Sequence, residues 1–473
     1  MRSMRSARMR WSSTFRIPNR LGYSTGSSQS KHTAIKTATY IASATLVAGT
    51  GFWWSTTVRD NVPLLDNRPA EHMIPKSGFS KDEVTEMLLQ GAYSFLVKKV
   101  PGVNRYDGVQ LASNSPCEDR FTHGQIPSPW DRGKSWMAWA IFDGHAGWQT
   151  ADFLEKQLLP QVQHSMSQVK PATEQQVISE DMIQRAITKA FVDLDSSIMD
   201  SAQQITQTDP PLTEKIPKLV PAYAGSCALL SLYDPVASKL HVACTGDSRA
   251  VLGQKNANGT WEAVPLSVDQ TGSNEDEIAR INQEHPGEEG IAKNGRILGI
   301  MVSRAFGDGR WKWPLELQKE CEQKYCGPAL RPGAKTPPYL TAEPVVTTTT
   351  VPSDRPSFLI LASDGLWDNL TNQQAVDLVG KWLDFKSSGI IDEKPSPTYA
   401  PFDFSQFKMD DKFEEERTTV QDDNAAVHLM RNSLGGNHHE MIAGRLAVPT
   451  PRSRDVRDDI TVQVAFFNCP EAA

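Results

Sequence analysis

AIFDGHAGWQTADF, residues 140–153, sets a carboxylate and an imidazole on either side of Gly144. The pair stands just past an apolar run and ahead of residues able to begin a helix. An Asp leaving a buried segment needs a strong partner, because an isolated carboxylate is costly away from water. A DG pair is also ordinary turn chemistry, with Asp accepting local backbone hydrogen bonds and Gly relaxing the turn. The readings separate only if other acids arrive at similar chain positions, and they do. Glu118 and Asp119 lie in NSPCEDR, Asp364 and Asp368 in ASDGLWD, and Asp458 and Asp459 in RDDIT, each after or beside an apolar segment. Carboxylates brought together repel one another at low dielectric, and hard divalent cations with oxygen ligands relieve that repulsion. An oxygen-rich set suits Mg²⁺ or Mn²⁺ rather than a thiolate-bound zinc. Taken singly, Glu118–Asp119 also reads as a solvated turn and Arg457–Asp458 as a surface ion pair.

The apolar run WMAWAIF (136–142) reads as a buried strand despite weak alternation. DFLEKQLLPQVQHSM (152–166) reads as a helix that Pro160 restricts. EDMIQRAITKAFVDLDSSIM (180–199) puts Ile183, Ala186, Ala190, Leu194 and Ile198 near one helical face, fit to cover a sheet. GSCALLSLYD (225–234), KLHVACTGDSRAVLG (239–253), RPSFLILASDGLWDNL (355–370) and RDDITVQVAFFN (457–468) supply strands joined by turns. This alternation excludes a simple helical bundle and leaves sheet topology open. Residues 313–345 and 383–425, rich in Pro, Gly, Lys or acids, read as large surface insertions. Residues 59–102 read as a lead-in with a short amphipathic helix around DEVTEMLLQGAYSFL (82–96), the ordered domain beginning near Val103.

At 473 residues the chain holds either one large domain with insertions or two to three ordinary ones. Its net charge of −7, with no dominant basic tract beyond the N-terminus, argues against a nucleic-acid partner. The six cysteines are scattered without a zinc spacing. No internal repeat, heptad array or nucleotide-binding glycine loop is present. Residues 1–36 carry six Arg, two Lys and no acid, the composition of a mitochondrial transit segment or of a basic disordered tail. Thr37–Val58 then runs 22 residues without a charge, with Phe52, Trp53 and Trp54 suited to an interface, and is a candidate transmembrane anchor. Retained in the inner membrane as a stop-transfer anchor, it leaves the large domain facing the intermembrane space. Removed by processing, it leaves a soluble matrix enzyme.

Over residues 103–467 the chain resembles the metal-dependent protein phosphatase family PP2C. The resemblance rests on SPCEDR, FDGHAGW, YAGSCALL, ACTGDSRAVL, RILGIMVSRAFGD, LILASDGLWDNL and RDDITV, in the family's order. It implies an α+β fold, a four-layer α/β/β/α sandwich with two central antiparallel sheets, spanning 103–469 here. It also implies hydrolysis of phosphoserine and phosphothreonine in proteins. Glu118, Asp143, Asp364 and Asp458 are the implied ligands of two core Mg²⁺ or Mn²⁺ ions, with Gly144 adding its backbone carbonyl. Asp119 is implied to hold a water of the site, and Asp247 to approach a third, peripheral ion. Such a pair of cations activates a bridging water and neutralises phosphate charge, so no Cys nucleophile is required. His145 matches the position that protonates the leaving alcohol, the alternative being a histidine that orients an acid.

One departure stands out. Many members place a phosphate-binding Arg four residues before the Glu of the first acidic motif, and here that position is Asn114, a weaker anion partner. Arg120 is a substitute, with a structural ion pair as its equal reading. RYDGVQLASNSPCEDR (105–120), QDDNAAVHLMRNSLGG (421–436) and the stretch 436–467 resemble the mitochondrial branch of pyruvate dehydrogenase phosphatases and their fungal relatives. That likeness implies phosphoserine on the pyruvate dehydrogenase E1 alpha subunit as substrate. Asn424, His428, Arg431 and Asn432 then line a branch-specific surface, or simply pack a helix ahead of a Gly turn. The contrasting reading is a catalytically silent regulatory or anchoring domain; Asn114 speaks for it, and the full set of core acids speaks against it.

Overall fold

Apolar residues at both parities of a strand need cover on both faces, which is why WMAWAIF alternates so weakly. In the computed structural model, which describes residues 78–131, 133–170, 178–388, 413–469 and 472, that cover is complete. Trp136, Ala138, Ala140 and Phe142 pack against helices, while Met137, Trp139 and Ile141 pack against a second sheet.

The principal strands are β1 (Tyr93–Leu96), β2 (Val103–Leu111), β3 (Arg120–Pro127), β4 (Ser135–Phe142), β5 (Ala228–Asp234) and β6 (Lys239–Thr245). They continue with β7 (Arg249–Lys255), β8 (Trp261–Pro265), β9 (Val345–Thr350), β10 (Ser357–Ala362) and β11 (Ile460–Phe467). Two antiparallel sheets result, in the orders β1-β2-β11-β10-β7-β8 and β9-β6-β5-β4-β3. The longer helices are α1 (Lys81–Leu89), α2 (Gln149–Ser167), α3 (Glu180–Thr206), α4 (Leu212–Tyr223) and α5 (Glu275–Glu284). After them come α6 (Leu315–Lys324), α7 (Asn372–Ser388), α8 (Ala425–Ser433) and α9 (His439–Ala447).

Helices α2, α3 and α4 cover the five-stranded sheet through Leu154, Leu158, Phe191 and Leu219. Helices α1, α7, α8 and α9 cover the six-stranded sheet through Leu88, Val379, Trp382, Leu429 and Leu446. Between the sheets lie Tyr106, Trp139, Leu229, Val242, Leu252, Leu361 and Phe467. The four-layer α/β/β/α sandwich implied by the resemblance is the observed architecture.

Several local expectations change. Pro160 sits inside α2 without ending it. Leu154, Leu158 and Val162 are fully buried on either side of it, and that packing outweighs one lost backbone bond. The lead-in is also part of the fold: β1 pairs antiparallel with β2, and Val84 and Leu88 of α1 enter the core. Residues 313–345 are not a mere surface insertion, because Trp313, Cys321, Tyr325 and Ala342 enter the helix-side core. Glu316, Lys319, Glu322 and Lys324 lie on the wet side of α6. Within 383–425, residues 389–412 lie outside the described set, yet Leu383 and Ala425 at its ends are buried.

Asn424, His428, Arg431 and Asn432 are buried packing residues rather than a surface. Asn424 caps α8, Arg431 pairs with Asp422 at 2.7 Å, and His428 Nε2 lies 2.9 Å from the Leu378 carbonyl oxygen. The transit-like segment 1–36 and the expected anchor 37–58 lie outside the described residues. Among the described residues no helix is long and apolar enough to cross a membrane.

Candidate metal centre

Antiparallel register gathers the acids at one end of the sandwich. Arg120 at the start of β3 faces Phe142 at the end of β4, and Arg249 at the start of β7 faces Ala362 at the end of β10. Ile460 at the start of β11 faces Leu111 at the end of β2. Residues just outside these ends must therefore meet. Glu118 and Asp119 precede β3, Asp143 follows β4, and Asp247 lies in the β6–β7 turn. Asp364 follows β10, while Asp458 and Asp459 precede β11.

Carboxylate oxygens of Asp143, Asp247 and Asp364 lie within 4.8 Å of one another. Asp143 Oδ2 is buried and has no hydrogen-bond partner. Burial, then the charges of Asp364, Asp119, Asp247 and Asp458, push the Asp143 carboxyl well above the usual range. Burial followed by Asp247 and Asp458 does the same to Asp364. An oxygen-only donor set with an orphaned acceptor and strong internal repulsion fits a hard dication. Asp247, expected to approach a peripheral ion, thus lies beside Asp143 and Asp364, where its Oδ1 accepts from Cys227 Sγ at 3.2 Å.

Glu118 and Asp458 stand beside this group and share a cation. Arg454, on the one-turn helix Arg452–Asp455, reaches within 3.5 Å of Glu118 Oε2 and also donates to Asp458 Oδ2. Asp119 is buried and accepts from Ser363 Oγ at 2.9 Å and Thr461 Oγ1 at 2.6 Å. Burial and the neighbouring Asp459 raise its carboxyl above the ordinary value. Gly144 pairs with Ser226, and a Cβ there would meet the Glu118 carbonyl oxygen at 2.5 Å. Only glycine lets these two loops approach so closely.

His145 Nε2 lies 2.6 Å from Asp308 Oδ2. Burial opposes charge on the ring, but the Asp308 charge and hydrogen bond outweigh it, so the His145 pKa rises above its ordinary 6.5. Gly225 makes room for the pair, since a Cβ there would fall 2.1 Å from His145 Nε2. Sequence reading missed Asp308. The residue closes the RILGIMVSRAFGD motif, but no spacing links it to a histidine 163 residues away.

Asp459 likewise has no role legible in the sequence. It accepts from the amides of Ser113, Asn114 and Glu118 and from Asn114 Nδ2. Burial would raise its carboxyl, yet these donors hold it below the usual range. Asn114 is therefore tied down, its Nδ2 also reaching Glu118 Oε2 at 3.3 Å. Arg120 is occupied too: its Nη1 donates to the carbonyls of Cys117 and Asp119 at 2.8 and 2.7 Å, and its guanidinium lies over Trp148. The structural reading of Arg120 prevails.

The family model for Protein phosphatase 2C matches residues 109–401. A protein phosphatase 2C homolog of Schizosaccharomyces pombe is 42% identical over 391 residues, covering 82% of this chain and 85% of that protein. Mitochondrial pyruvate dehydrogenase (acetyl-transferring) phosphatase 1 of Saccharomyces cerevisiae is 36% identical over 457 residues, covering 88% of this chain and 79% of that protein. The solved serine-threonine phosphatase 2C of Toxoplasma gondii aligns with a TM-score of 0.43 at 18% identity, over 79% of this chain and 99% of that one. A family match over more than half the chain, with relatives above 30% identity along most of their own length, makes this chain a member of the protein phosphatase 2C family, a metal-dependent protein serine/threonine phosphatase.

Proposed function

We propose that this phosphatase acts in the mitochondrion, with phosphoserine on the pyruvate dehydrogenase E1 alpha subunit as its leading substrate. The observation that carries the chemistry is the close group of Asp143, Asp247 and Asp364 with its buried, unpartnered Asp143 oxygen. Asp143, Asp364, Glu118 and Asp458, with the Gly144 carbonyl, would hold two Mg²⁺ or Mn²⁺ ions, and Asp247 would join them or serve a third. When bound, such ions neutralise phosphate charge and make water nucleophilic near neutral pH.

The remaining steps belong to side chains. Asp119, fixed by Ser363 and Thr461, offers its carboxylate to a water of the site. Arg454 bridges Glu118 and Asp458, and its guanidinium can turn to phosphoryl oxygens once those acids bind cations. That supplies the charge Asn114 lacks. Asp308 occupies Nε2 of His145 and favours the charged ring, leaving Nδ1 to protonate the departing Ser or Thr oxygen.

The S. cerevisiae relative, a mitochondrial pyruvate dehydrogenase phosphatase, supports the substrate reading and, with the basic residues 1–36, the location. This substrate requires the domain in the matrix, which a processed form satisfies and an anchor facing the intermembrane space does not. Protease protection in intact mitochondria and mitoplasts, with N-terminal peptide mapping, separates the two. Purified chain should release phosphate from phosphorylated E1 alpha, lose that activity in EDTA and regain it with Mn²⁺. A metal-loaded chain inert on every phosphoserine and phosphothreonine peptide would instead be the silent scaffold. Arg454→Ala should raise KM for phosphopeptide about tenfold or more and weaken inhibition by inorganic phosphate, with Arg454→Lys partly restoring both. Unchanged phosphate inhibition removes Arg454 from this role.

A further inference from the structure

Arg310 and Arg331 both lie over the buried indole of Trp311, their guanidinium carbons 5.6 and 4.8 Å from its ring centroid. Both Nε atoms are buried without a hydrogen-bond partner, as is Trp311 Nε1. Among the described residues neither arginine forms an ion pair within 4.0 Å, in a chain carrying 56 acids against 49 basic residues. They also repel each other: burial first, then Arg331, lowers the Arg310 pKa, and only Glu322 opposes this. Two like charges held together with unmatched donors are costly unless an anion bridges them.

The pair is well placed relative to the acidic centre. Arg310 follows Asp308, the partner of His145, by two positions on the short helix Gly309–Lys312. Arg331 packs on Gly299, where a Cβ would sit 3.2 Å from its Nη1. Trp311 shares a buried cluster with Ile297, Val302, Tyr339 and Cys227, and Cys227 Sγ contacts Asp247. The arginines thus pack on a tryptophan whose apolar cluster reaches Cys227, the neighbour of Asp247.

The geometry points to an oxyanion subsite between Arg310 and Arg331 that receives an acidic group of the phosphoprotein other than the phosphate being cleaved. The ligand chemistry is a carboxylate or a second phosphoryl group, taken by two guanidinium forks whose stems are fixed on an indole. This rests on the protein-phosphatase reading and adds a substrate preference to it: phosphosites with acidic or doubly phosphorylated surroundings.

The test uses the full chain loaded with Mn²⁺ and three phosphoserine peptides that differ at one flanking position, Gln, Glu or a second phosphoserine. R310Q, R331Q and the double variant are compared with wild type, p-nitrophenyl phosphate serving as a substrate too small to reach the subsite. KM for the Glu and doubly phosphorylated peptides should rise about tenfold in the double variant, with kcat unchanged and the melting temperature no lower than that of wild type. The Gln peptide and p-nitrophenyl phosphate should be unaffected. Whichever acidic peptide loses more identifies the preferred anion. Equal wild-type KM values for neutral and acidic peptides, or a uniform loss across all substrates, overturn the proposal. If wild type cleaves no phosphopeptide, the phosphatase reading fails separately. The subsite is then judged by fluorescence anisotropy of the labelled Glu peptide: binding lost in the double variant upholds it, and unchanged binding overturns it.

Discussion

Asp143 and Asp364 titrate higher in the fold than the 3.8 of a free Asp because burial and neighbouring carboxylates disfavour their charge. The sign for stability follows from that direction. Their contribution is fully present below the unfolded pKa and is lost as pH rises through the folded one. Divalent cations compete with those protons, so Mn²⁺ should raise the melting temperature more at about pH 8 than at about pH 5.5. Equal increments at both values would mean that the ions bind elsewhere. Asp143→Asn should abolish the Mn²⁺-dependent increment and cut turnover by about 10³-fold, while raising the melting temperature of the chelated protein. A chelated variant less stable than wild type would contradict the repulsion on which the site is argued. At this scale the sequence marked the acids through their DG, ED and DD pairs. It did not mark Asp308 or Arg454, which have no local signal.

Elements deliver these side chains, and the loop 113–119 is held largely by one of them. Asp459, ahead of β11, accepts three backbone amides and the Asn114 amide of that loop. Asp459→Ala leaves those donors unpaired, and each buried one costs about 1–3 kcal/mol. Calorimetry should therefore record a loss of several kcal/mol, and titration should show weaker Mn²⁺ binding as Glu118 loses its support. A variant with wild-type Mn²⁺ affinity would separate the loop from the site. The N-terminal elements give a second prediction. A chain beginning at Val103 lacks α1 and β1, and with them the buried Val84 and Leu88. It should be less stable by more than about 3 kcal/mol or fail to stay soluble. The α3 helix was readable because its apolar residues repeat at helical spacing. β1 was not, because Tyr93–Leu96 is mostly exposed and gains strand character only by pairing with β2.

At the scale of the whole molecule, burial favours the neutral form of several histidines among the described residues. His123, His241 and His428 are each driven from 6.5 to about 4, chiefly by loss of solvent. The unfolded chain takes up these protons first, so the stability they allow is present above about pH 6.5 and lost as pH falls towards 4. His428, fully buried between Leu378 and Asn432, should account for about 3 kcal/mol of that loss. His428→Gln should flatten the fall in melting temperature over this window, and an unaltered slope would assign the acid sensitivity to other groups. By itself the sequence determined the buried strands, as runs too apolar for one wet face, while the layered fold was legible only through the family resemblance of its motifs. It also determined the acidic positions, because those residues sit at strand ends whatever the topology. Only tertiary structure decided their company. Strand register joined Asp247 to Asp143 and Asp364, Asp308 to His145, and Arg454 to Glu118, while tying Asn114 and Arg120 to the backbone. Such pairings depend on which strands lie side by side, and no spacing along the chain encodes that.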